Sequence, residues 1–164
     1  MLTSQGVARV IFMARGPVGL SFVGKSDQIL LTEKDGVLVI CVRLDSLSTG
    51  ISFRDNHMRD RHLETEKYPL ATLEVEKSQL QWPNAVPVSA KAKGKLTLHG
   101  VTRAVNITYH AHGTDKLAFI EGSMHINMKI FKIETPVHLG MSVRPGIEIS
   151  IKMAVADMCV TREI

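Results

Sequence analysis

The residues best suited to chemistry in this chain are few and scattered. His110-x-His112 comes nearest to a metal motif, because residues two apart on a strand point to one face and would offer both imidazoles to one ion. A third ligand has to come from elsewhere, and the face shared with Asn106 is the outer one. Two exposed histidines at a strand end are therefore the plainer expectation. His57 and His62 stand among Arg54, Asp55, Arg59, Asp60, Arg61, Glu64 and Glu66. Alternating signs at that density make a solvated, ion-paired helix, so a structural role fits Asp60 and Arg61 better than a functional one. Asn106-Ile107-Thr108 matches a glycosylation sequon, too short a motif to carry weight alone. There is no Gly-x-Ser-x-Gly elbow, phosphate loop or dinucleotide fingerprint. A metal-assisted or lipid-modifying enzyme using His110 and His112 stands only as the alternative to a binding protein, with a structural or partner-binding β domain as a third reading.

The totals narrow the class further. A chain of 164 residues fits one domain, 1–164, large enough to bury a core without staples. Its aromatic content of 5% argues against a surface built to stack bases. The net charge of +4 is spread along the chain and not gathered into a basic face, so no nucleic-acid partner is expected. Two cysteines, Cys41 and Cys159, are too few for a disulfide framework or a tetrathiolate site, and a single bridge between them stays open. No stretch approaches membrane-spanning length. The opening MLTSQGVARVIFMARGPVGL does not read as a signal peptide, which points to the cytoplasm if Met1 is the native start.

The elements that must position these residues are nearly all strands. Val7 to Ala14 is apolar and branched and runs to the breaker Gly16-Pro17. Leu20 to Gly24 and Ile29 to Glu33 follow, and Asp35-Gly36 makes a tight turn into Val37 to Leu44, since both residues tolerate positive φ. Asp55 to Leu63 is the one convincing helix, capped by Asp55, stopped before Pro69, and apolar only at Met58 and Leu63. So sparse an apolar face suits a lid or an end plug. Ala71 to Val75 alternates, and Gln81 to Val88, with two prolines, reads as a loop. The strand of Lys91, Lys93 and Lys95 turns a solvated face outward and meets its neighbour at His99-Gly100. Gly113-Thr114-Asp115 turns the chain into Leu117 to Asn127, and Ile147 to Ala156 is the clearest strand of all. Strands at hairpin spacing with almost no helix mean an all-β sandwich or barrel.

The apolar faces carry the most information. Inward candidates are Phe12 and Phe22; Leu38, Ile40, Val42 and Leu44; Leu73 and Val75; Leu96 and Leu98; Val105, Ile107 and Tyr109; Ile120, Met124 and Ile126; and Ile149, Ile151 and Met153. None is charged. A barrel of about eight strands has an interior that side chains can just fill, or that holds one small ligand. A branched and thioether lining suits a hydrocarbon chain, each buried methylene contributing about 0.8 kcal/mol. A dry, filled core accounts for the same residues, and periodicity does not choose between the two.

Several of these segments together resemble the YceI family. Val18-Gly19 with Phe22-Val23-Gly24 is similar to its early strand. Asp45 to Gly50 followed by Arg59-Asp60-Arg61-His62-Leu63 resembles its Arg-Asp-x-His-Leu segment, and Lys67-Tyr68-Pro69 with Ala71-Thr72-Leu73 its Tyr-Pro-x-x-Thr-Phe strand entry. The most specific block is Gly94 to Arg103, GKLTLHGVTR, which resembles the family's strand–Gly-Val-Thr–strand hairpin. The resemblance implies an extended antiparallel eight-stranded lipocalin-like β-barrel with one short helix, about 55–63, and a second helical turn. It implies no catalytic residues and no cofactor beyond a bound lipid: a polyisoprenoid, an isoprenoid quinone-like molecule or a fatty-acyl chain. It further implies a periplasmic or secreted bacterial homodimer with transient membrane contact at most. Leu73 stands where an aromatic is common, so the shape of the bore and its ligand are expected to differ.

Overall fold

The computed structural model describes residues 2–16, 19–135, 137–138 and 141–157. Pro17, Val18 and Cys159, invoked above, lie outside them. Ten segments alternate or pair as strands before the last: β1 (Leu2–Arg15), β2 (Ser21–Ser26), β3 (Ile29–Lys34), β4 (Val37–Arg43), β5 (Leu70–Glu76), β6 (Val88–Leu98), β7 (Val101–Gly113), β8 (Leu117–Asn127), and the two-residue strands β9 (Val137–His138) and β10 (Met141–Ser142). β11 (Gly146–Asp157) closes the series. All but β9 and β10 join one antiparallel nine-stranded sheet, in the order β2-β1-β11-β8-β7-β6-β5-β4-β3.

The sheet curls on itself, and its strand count has a simple cause. β2 and β3 are its two outermost strands, yet only Asp27 and Gln28 separate them in the chain. Counted as one strand broken at that point, they return the expected eight. The two edges meet along this seam, where β1 lies beside both. Leu2 N–H donates to Glu33 Oε2 at 2.8 Å, and Lys25 and Ser48 exchange backbone hydrogen bonds of 2.9 and 3.0 Å. Glu33 also meets Lys77 Nζ at 3.2 Å. Curling the sheet in this way satisfies edge groups that would otherwise invite pairing with another chain.

The hairpin turns are local consequences of sequence. Asp35 and Gly36 have φ of 53° and 76°, and His99 and Gly100 have 54° and 72°. Both pairs supply the two left-handed residues that a twisted two-residue hairpin needs. Gly100 is doubly required, since a Cβ there would lie 2.7 Å from Tyr68 Cε1.

The helix begins earlier than its charge pattern predicts. α1 (Ser52–His57) passes directly into a wider turn over Met58–His62, where Leu63 N–H reaches back five residues to Met58 O at 2.8 Å. Asp55 is therefore inside the helix and is not its cap. It is 5% exposed and accepts from Thr49 N at 2.9 Å, Thr49 Oγ1 at 2.5 Å and Ser48 Oγ at 3.1 Å. Its carboxylate thus ties the loop before the helix to the helix body. Short helical turns also occur at Leu44–Ser46, Lys77–Gln79 and Met128–Phe131.

Met58 and Leu63 pack onto a buried cluster that includes Leu44, Leu96, Leu98, Met128, Phe131 and Ile133. The helix is thus a plug on a packed end of the barrel. Tyr68, edge-on to His99 at 4.7 Å, and the bond from His99 Nε2 to Glu64 Oε2 at 2.5 Å secure the same end.

Candidate functional site

The half of the barrel away from the helix is not solid. A partly open, apolar cavity of about 80 Å³ lies between the strands. Its walls are Leu38 and Ile40 of β4, Leu73 and Val75 of β5, Ile107 and Tyr109 of β7, Ile120 and Met124 of β8, and Ile149, Ile151 and Met153 of β11. Each of these falls on the inward phase read from sequence. A space of this size exceeds the 10–15 Å³ or so that one water needs, yet falls short of the ~300 Å³ typical of a drug-sized pocket. As it stands, it admits a short file of methylene groups.

The remaining inward positions lie elsewhere. Val42, Leu96, Leu98, Val105 and Ile126 do not line the cavity; they belong to the large buried cluster that also takes in Leu73, Val75, Tyr109 and Met124 of its wall, and Phe12 and Phe22 pack against that cluster. The Phe12 ring occupies the space a side chain at Gly24 would need, and the Arg54 guanidinium lies 5.0 Å above the Phe22 ring. No helix residue lines the cavity. The helix therefore sits as a plug on packed residues and not as a lid over the cavity.

The other end of the barrel is roofed by a segment that periodicity does not flag. Leu80, Gln81 and Trp82, in the loop between β5 and β6, line the cavity directly. Gln81 N–H donates to the Tyr109 hydroxyl at 2.7 Å, and Trp82 Nε1–H is shared between the carbonyls of Thr114 and Asp115 at 3.2 and 3.1 Å. Pro83 behind them is among the most deeply buried side chains. Leu2, Leu31, Ala92, Gly122, Ser123 and Val155 complete the wall. Gly122 has no side chain to register in an apolar pattern, yet its lack of one leaves room beside Ile107 and Tyr109. A Cβ there would meet Ile107 Cγ2 at 3.6 Å, an ordinary contact.

The candidates for chemistry are not brought to this cavity. His110 and His112 are exposed on the outer face, where His110 Nδ1 meets Ser89 Oγ at 2.7 Å and His112 stacks on Phe119 at 5.3 Å. Among the described residues no three His, Cys, Asp or Glu side chains are grouped to hold a metal ion. Asp60 and Arg61 are exposed, and Lys91, Lys93 and Lys95 face solvent. Cys41 Sγ lies 3.8 Å from Thr72 Oγ1 on the outer side of β4. No described helix is long and apolar enough to cross a membrane.

A curled antiparallel barrel, plugged at one end and hollow and apolar at the other, defines a lipocalin-like protein. The comparisons place it more narrowly: the model of the YceI-like domain matches residues 10–155, and the chain belongs to that family. Solved structures share the fold at low identity. A polyisoprenoid binding domain from Saccharophagus degradans, implicated in plant cell wall breakdown, is 15% identical with a TM-score of 0.80, over 94% of this chain and 97% of that one. BcnA of Burkholderia cenocepacia is 13% identical with a TM-score of 0.72, over 90% and 95% of the two chains. The YceI protein of Campylobacter jejuni is 20% identical with a TM-score of 0.59, over 82% and 84%. No protein of curated function matches the chain.

Proposed function

We propose that this protein binds a long apolar lipid by its tail, as a polyisoprenoid, isoprenoid quinone-like or fatty-acyl chain, and so sequesters or transports it. The observation that carries the reading is the apolar cavity in the half of the barrel away from α1. The driving force is removal of the tail from water, about 0.8 kcal/mol per buried methylene, set against the cost of ordering a flexible chain. The neighbour described as a polyisoprenoid binding domain supports the ligand class through its shared fold. The role we propose is binding, which the shared fold of that polyisoprenoid binding domain supports. We further propose that it is a periplasmic homodimer touching membranes transiently.

Organic extraction of the purified protein, followed by mass spectrometry, tests the reading. The expected result is a long apolar molecule released in near-stoichiometric amount. Protein carrying none, and taking up none from added prenyl or acyl lipids, would overturn it.

A further inference from the structure

The wall of the cavity is stitched by backbone hydrogen bonds on most sides and not on one. β4 pairs with β5, β7 with β8, β8 with β11 and β11 with β1. Past the short β5–β6 ladder the gap is covered by the strap Leu80–Trp82. That strap is tied down repeatedly: Gln79 Oε1 just before it accepts from Lys93 N–H at 3.0 Å, and Gln81 and Trp82 make the bonds described above. Between β1 and β3 no ladder runs among the described residues. β1 pairs with β2 only from Val10 onward, and its earlier part lies beside β3. Leu2 of β1 and Leu31 of β3 both line the cavity, so this unladdered stretch belongs to its wall.

Two kinds of contact close that stretch. Leu2, Ala8 and Leu31 are buried in one apolar cluster. Such contacts have no direction, and a hydrocarbon chain sliding between them replaces one apolar surface by another at little cost. The directional contact runs through a half-buried carboxylate. Glu33 Oε2 accepts from Leu2 N–H at 2.8 Å, and Oε1 meets Lys77 Nζ at 3.2 Å. One charge thus ties the start of β1 to β3 and to the turn leading into the strap, and hydrogen bonds to an ionised group are the strong ones. β1 is also jointed. Its register on β11 shifts between Gln5 and Arg9, and Gly6 has φ of 66° with open space where a Cβ would stand. A bulge of this kind bends a strand locally, which sets Leu2 to Gln5 apart from the rest of β1.

We propose that the apolar chain enters and leaves the cavity sideways, between the first segment of β1 and β3, and that Glu33 is the clasp holding this side door shut. This rests on reading the cavity as an apolar binding site, and adds its route of access. The clasp is made whether the cavity is filled or empty. It therefore sets how fast a ligand exchanges and leaves the affinity alone.

Release of 1-dodecylpyrene from the delipidated and reloaded protein into phosphatidylcholine vesicles carrying a pyrene quencher, followed by stopped flow, tests the route. Glu33→Ala should speed release about tenfold while the equilibrium partition between protein and vesicles stays unchanged. Gln79→Ala, which frees the strap from Lys93, and Asp55→Asn, which loosens the plugged end, should release at the wild-type rate. Unchanged release from Glu33→Ala overturns the proposal. An equal acceleration in Gln79→Ala makes the strap the door, and one in Asp55→Asn reduces the effect to general loss of stability; either overturns it. A fall in affinity matching the gain in rate does so too, since Glu33 would then belong to the site and not to its door. If Glu33→Ala does not fold, Glu33→Gln replaces it: the uncharged amide weakens both bonds, faster release is again expected, and the same comparisons decide. Wild type that takes up no 1-dodecylpyrene removes the binding-site reading and the door with it, a different outcome from one release rate in every variant.

Discussion

At the scale of single residues, the two carboxylates with lowered pKa hold connections rather than a reaction. Burial pushes the Asp55 carboxyl up, but hydrogen bonds from Thr49 and Ser48 and the charge of Arg59 outweigh it and leave it below its ordinary value. Glu33 is lowered chiefly by the Leu2 amide, with Lys77 adding to the effect against burial. A carboxylate whose folded pKa is lowered stabilises the fold above its unfolded value of about 4, and that contribution is lost as pH falls through the folded one. Urea midpoints should therefore be flat near neutrality and drop below about pH 4.5, with a shallower drop in Asp55→Asn. Asp55→Ala should cost about 2–4 kcal/mol at pH 7, because it strands the Ser48 and Thr49 donors and leaves the charge of Arg59 uncompensated. Two inward glycines should respond in opposite ways. At Gly94 a Cβ would sit 2.9 Å from Glu74 O, so Gly94→Ala should lower stability by about 1–3 kcal/mol. At Gly122 the contacts are ordinary, so Gly122→Leu should fold within ~1 kcal/mol of wild type yet fail to retain lipid on extraction.

At the scale of elements, the hairpins, the helix and the strap differ in how visible they are beforehand. Asp35-Gly36 and His99-Gly100 announce their turns because positive φ selects residue type directly. Gly100→Ala should cost about 1–3 kcal/mol by thermal unfolding, from φ strain and the Tyr68 ring together. β11 was equally legible, since Ile147 to Val155 alternates without interruption. The start of α1 was not, because Ser52 and Phe53 carry no cap signal and the tie runs from Asp55 back to Thr49. Least legible was the strap. Leu80 and Trp82 sit in a loop where no period applies, and only the folded chain brings them over Tyr109. Sequence likewise separates inward from outward but says nothing of depth, so Val105 at the packed end and Tyr109 at the hollow end look alike. Trp82 is the sole tryptophan, so its emission reports on the strap alone. A shift in that emission when apolar ligand is added, absent in Gly122→Leu, is the expected result.

For the whole molecule, the seam between β2 and β3 and the division into plug and hollow set the behaviour. Among the described residues, the seam carries the Lys25–Ser48 bridge and the Leu2–Glu33 bond, and no ladder joins β3 to β1 or β2. Hydrogen exchange should accordingly be faster along β2 and β3 than along β7, β8 and β11. A lipid that binds only the folded state raises its stability by mass action, so stripping it should lower Tm, and re-addition should restore the loss. The cluster around Phe131 and Leu98 fills the end under α1, so the hollow stops short of that end. A long molecule lodged in so small a space is gauged only by the portion inside it. Affinity should therefore climb with each added carbon until the floor is reached and then level off, leaving the protein indifferent to how much of the chain trails outside.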